Sequence, residues 1–229
     1  ETNPPRGWTE ATIAPANFLD WRARNRVFEA MAFYVGSDSR GASLNDYVYT
    51  GAGDADRLQA VRVSTNFLDV LGVPPMLGRG FHPTESEPGR SAVIVLSEGA
   101  WRQRFAGARD IVGRSVVLDG TAHTVVGVMP ASFRFGWERP DFWIPMGMTD
   151  AEMSRVRVPH WLRVVARLKP DVTIEQARAD LTRIASELER EHPQTNAQMG
   201  AGLGPLDDWF VGNVRGSLLV FLGAVGFVL

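Results

Sequence analysis

The sequence predicts an α+β domain, and three observations carry that expectation. The chain closes on strand, helix and strand: WLRVVARLK at 161–169 alternates apolar and basic residues, and Ile174, Ala177, Leu181, Ile184, Ala185 and Leu188 then recur at helical spacing. It opens on a helix followed by a strand. Between these ends lies a section of short β-branched runs broken by Gly and Pro. At 229 residues, 45 % apolar and 22 % charged, the chain has room for one large core or two small ones.

Each element has its own signal. Residues 1–13 are polar, contain Pro4, Pro5 and Gly7, and read as a loop. A helix opens at Pro15, a residue suited to a first turn, and the run RNRVFEAMAFY extends it, or a second short helix, to about Ala32. β segments are expected around 33–37, 42–50 and 58–63. In STNFLDVLGVPP, Ser64 or Thr65 caps a short helix, Gly72 ends it, and Pro74 and Pro75 prevent its return. LGRGFHPTESEPGR at 77–90 reads as a long contact-making loop. SAVIVLS is a buried strand, and Ser97 caps the helix EGAWRQRF. RSVVLDGTAHTVVGVM is a hairpin, because Asp119–Gly120 tolerates the positive φ angles of a type I′ turn. PDFWIPM is a short aromatic strand. Thr173 and Gln176 form a capping box for the long helix, which ends near His192 because Pro193 follows. One more strand is expected at 198–206.

The residues that carry chemistry are few. A net charge of −2 advertises no nucleic-acid surface. The absence of cysteine excludes disulfides, thiolate metal sites and cysteine nucleophiles. Lys169 is the only lysine, and it stands in LKP after a strand, where no phosphate loop forms. Gly51 and Gly53 precede a strand, which rules out a dinucleotide turn. His82, His123, His160 and His192 are scattered; the tightest possible cation set, His82, Glu85 and Glu87, sits on a Pro-rich loop where such groups are solvated. Ser97 lacks the small neighbours of a nucleophile elbow and reads as a helix cap. Asp54/Asp56 and Asp207/Asp208 read as turn residues. No catalytic, cofactor or metal site is therefore expected. Trp101 and Trp161 fit apolar faces, while Phe81, His82, Glu85, Trp137 and Trp143 are the candidate partner contacts, with core packing the favoured reading of Trp137 and Trp143.

The two ends add a further expectation. ETNPPRG has neither the basic start nor the apolar run of an export signal and no Met, and suggests a piece of a longer chain. Residues 216–229, GSLLVFLGAVGFVL, carry no charge. Trp209, Phe210 and Arg215 precede Leu218, Leu219, Phe221 and Leu222, the order a membrane interface selects. Residues 212–229 are thus expected to begin a transmembrane helix; a buried C-terminal helix is the alternative.

The segments NFLDWRARNRVFEAMA, ADRLQAVRVSTNFLDVLGVPPMLGRGF, VIVLSEGAWRQRFAG, GRSVVLDGTAHTVVGVMP and LRVVARLKPDVTIEQARADLTRIASELE, in this order, resemble the MacB-like periplasmic core domain of ABC transporter permeases, particularly orphan permeases with an FtsX-like transmembrane domain. Asp171 departs from the glycine the family often has there. The resemblance implies a porter-like α/β subdomain from 1–63 and 158–211, an inserted Sabre-like β-rich subdomain at 64–157, and a first porter strand lying before Glu1, whose partner edge is then exposed. It implies an inner-membrane location on the periplasmic face, contact with lipid and with its own transmembrane domain, a homodimer, and ATP hydrolysed by a separate domain or subunit. The function implied is mechanical coupling of helix motion to export or extraction of an amphiphilic peptide, antibiotic or lipoprotein. A periplasmic binding or adaptor module without transport is the alternative, and an enzyme is disfavoured by the missing motifs.

Overall fold

The computed structural model describes residues 1–7, 11–35, 44–50, 55–135, 139–206 and 208. Helix α1 (Pro15–Arg24) opens at its proline as expected. It stops earlier than the sequence suggests, and Asn25 is the reason. Its Nδ2 donates to the Trp21 and Arg22 carbonyls, while its Oδ1 accepts from the Phe28 N–H at 3.0 Å. One side chain closes the helix and starts strand β1 (Phe28–Val35), so the helical reading of 25–32 is corrected to a strand.

Strands β2 (Leu44–Tyr49) and β3 (Asp56–Val63) form an antiparallel pair from Leu44↔Val61 to Tyr49↔Asp56. Helix α2 (Phe67–Leu71) follows Asn66, and Gly72 ends it at φ 72°. Ser64 does not cap it; its Oγ accepts from the Phe33 N–H instead, at 3.0 Å. The expected 77–90 loop contains the short strand β4 (Leu77–Gly78) and a 3-10 turn at Pro83–Ser86. Strand β5 (Val93–Leu96) leads into helix α3 (Glu98–Phe105), which Ser97 caps by accepting from the Ala100 N–H at 3.2 Å. Strands β6 (Ser115–Leu118) and β7 (Thr121–Val128) make the expected hairpin, with Asp119 at φ 48° and Gly120 at φ 75°. Strand β8 (Phe142–Pro145), helix α4 (Asp150–Met153), strand β9 (Leu162–Leu168), helix α5 (Ile174–Glu191) and helix α6 (Pro193–Asn196) complete the order. The Thr173–Gln176 capping box forms as expected.

The pairings close a ring. β2 bonds β3, β3 runs parallel to β8, β8 bonds β5, β5 runs parallel to β7, β7 bonds β6, and β6 returns to β2. The seam between β6 and β2 is one residue pair, Tyr49↔Leu118. The hairpin turn reinforces it: the Val48 N–H donates to Asp119 Oδ1 at 2.8 Å, and the Asp119 N–H donates to the Val48 carbonyl at 2.9 Å. Inward positions alternate as a small barrel requires: Leu58 and Ala60, Ile94 and Leu96, Val116 and Leu118, Phe142 and Ile144 share one buried cluster. β7 breaks the alternation, contributing Val125 and Val128, because its register against β5 slips between Ile94 and Val95.

Outside the barrel, β1 touches β3 only at Tyr34↔Val63 and pairs along β9. One face of this layer packs Phe28, Met31, Phe33 and Leu162 against Phe18 and Trp21 of α1 and Leu181, Ile184 and Leu188 of α5. The other packs Ala32, Tyr34 and Val165 with α2 and the barrel residues Val61, Val63, Val95 and Trp143. β2 and β3 are thus staves of the same barrel as β5 to β8. The 198–206 stretch is also not a strand: its one backbone bridge joins Gly200 to Thr2. A strand needs a neighbour for its N–H and C=O groups, and beyond Gly200 a cleft lies where that neighbour belongs.

Candidate functional site

Two features meet where the first and last described residues come together. The first is a corner stitched by backbone. Ile13 and Leu162 exchange both hydrogen bonds, at 2.6 and 3.0 Å. The Ala11 N–H donates to the Glu1 carbonyl at 2.7 Å, and Thr2 and Gly200 exchange both bonds at 2.9 and 2.8 Å. The order across the corner is β9, the 11–13 segment, the 1–3 segment and the segment around Gly200. Asn3 is buried there, its Nδ2 donating to the Ala197 carbonyl at 3.3 Å. Glu1 Oε1 accepts from Asn17 Nδ2 at 2.5 Å, and Glu1 Oε2 lies 2.7 Å from His160 Nδ1.

The second feature is a cleft of about 720 Å3 beside the corner. Leu162 to Arg167, six consecutive residues of β9, line it, together with Glu1, Trp21, Leu181, Leu203 and Asp208. Consecutive residues point to opposite faces of a strand, so a cavity that touches all of them lies along the strand's edge. Among the described residues no strand pairs with that edge; the bridge from Leu162 to Ile13 is its one backbone contact. A smaller cavity of about 230 Å3 continues past Ala166 and Leu168 under residues 203–206. Arg178 holds the far wall, its Nε donating to the Leu203 carbonyl at 3.0 Å.

An ion-pair chain runs from the corner along α1. Arg157 Nη1 donates to Asn17 Oδ1 at 2.7 Å and to Asp20 Oδ2 at 2.9 Å. Arg24 then joins Asp20 to Glu191 on α5. The Glu191 hydrogen bond holds the Arg24 guanidinium above its ordinary range against the cost of burial, and Arg24 in turn holds the Glu191 carboxyl below its own. Burial alone raises the Asp180 carboxyl, but bonds from the Arg26 N–H and Arg183 outweigh it and leave it low.

The candidate contacts separate. Phe81 and Trp143 are buried in the core shared by α2 and the barrel, which corrects the contact reading of Phe81 and agrees with the core reading of Trp143: large aromatic side chains stabilise more when removed from water. Glu85 is also buried, bonded to Arg79 at 2.6 Å and to the His82 N–H at 2.6 Å. Burial pushes its carboxyl up, and these bonds more than offset that, leaving it below the usual range. His82 alone of the described set is exposed. Trp137 and the anchor residues Trp209, Phe210, Arg215, Leu218, Leu219, Phe221 and Leu222 lie outside the described residues. Among the described residues no group of His, Cys, Asp or Glu is placed to hold a metal, and no helix is long and apolar enough to cross a membrane. Sequence reasoning did not find the corner; its only local signals are the polar Asn3 and the small Gly200.

No curated protein matches the sequence. Solved structures share the fold. The periplasmic region of MacB from Actinobacillus actinomycetemcomitans is 14 % identical, with a TM-score of 0.53 over 84 % of this chain and 80 % of that one. A domain of a permease protein from Porphyromonas gingivalis is 15 % identical, with a TM-score of 0.55 over 82 % and 76 %. The extracellular domain of the noncanonic ABC-type transporter YknZ from Gram-positive bacteria is 12 % identical, with a TM-score of 0.52 over 85 % and 91 %. The family model of the MacB-like periplasmic core domain matches residues 3–184, most of the chain. The protein therefore belongs to the MacB-like periplasmic core domain family, the periplasmic part of an ABC transporter permease.

Proposed function

We propose that this domain works mechanically, passing motion of transmembrane helices into the periplasm to export or extract an amphiphilic peptide, antibiotic or lipoprotein. Family membership over residues 3–184 is the observation that carries the reading. The uncharged run 216–229 beyond Asp208 supports an anchor in the inner membrane, with Trp209 and Phe210 at the lipid boundary. The porter-like division into both chain ends and an inserted β-rich part, a homodimeric assembly, and hydrolysis of ATP on a separate subunit or domain belong to the same proposal. In it the domain makes and breaks no bonds of its own, and Ser97 serves as a helix cap.

The test is purification of the full-length gene product with its genomic neighbours. The expected result is recovery from the membrane fraction, co-purification of an ATPase, and greater sensitivity of the deletion strain to amphiphilic antibiotics or peptides. Recovery of the intact chain from the soluble fraction, with no ATPase attached, rejects the proposal.

A further inference from the structure

We draw no further inference here: the strongest candidate, the cleft along the outer edge of β9, is a face with no pairing strand among the described residues, and nothing in the structure shows what covers it.

Discussion

The barrel and the β1–β9 layer use the same alternating strands but end differently. Every barrel strand has a neighbour on both sides, even where the seam is one residue pair. The layer stops at β9, whose outer edge faces a cleft. A closed barrel removes its own edges, whereas an open layer depends on what is brought to it. The contrast teaches where a connection can act: the barrel is complete by itself, and the first and last described residues converge on the unit that is not.

The comparison is most directly broken by core deletions. Phe142→Ala, inside the barrel and fully buried, is expected to cost about 4 kcal/mol, and Leu181→Ala, which lines the cleft, about 2 kcal/mol, because walls beside a cleft relax more easily. Equal shifts in urea unfolding would erase the distinction. Glycines give the next largest contrast. A Cβ on Gly127 would meet the Arg79 carbonyl oxygen at 2.2 Å, so Gly127→Ala is expected to cost about 3 kcal/mol. Gly204 beside the cleft has open space, and Gly204→Ala should stay within about 0.5 kcal/mol in the same assay.

Glu85 sharpens the comparison through pH. Its folded pKa is depressed, so its stabilisation is full above the unfolded carboxylate range near about 4.3 and is lost as pH falls through the lower folded value. Glu85→Gln is expected to cost about 2 kcal/mol at neutral pH, a difference that shrinks in acid; a pH-independent difference in thermal unfolding contradicts this assignment. Ser97→Ala is expected to cost less, about 1 kcal/mol from a lost cap, with coupled ATP turnover unchanged. A large loss of activity with stability intact would return Ser97 to candidacy as a nucleophile.

Features legible in the sequence are those whose cause lies within a few residues. Ser97 caps the helix three residues on, Asp119 and Gly120 set their own turn, and Thr173 and Gln176 answer one another. Asn25 was equally local, yet its neighbours Val27, Phe28 and Met31 fit a helix as well as a strand until its side chain is seen to bond both ways. The ring closure of Tyr49 on Leu118 and the pairing of Thr2 with Gly200 join distant positions, and no periodicity records them. The 198–206 stretch shows the converse: an extended sequence is not a strand without a partner. The burial of Phe81 is not legible because a loop rich in Gly and Pro does not reveal which of its aromatics turn inward, whereas Trp143 stands in a strand that the sequence announces.

Strand β3 belongs to both units. Ala60 to Val63 run beside β8 in the barrel, and Val63 also meets Tyr34 of β1. Because an unbroken stretch of backbone crosses the boundary at β3, tilting the layer strains the barrel as well. The two units therefore share one backbone at Val63, and neither can tilt far from the other without straining its pairing with Tyr34.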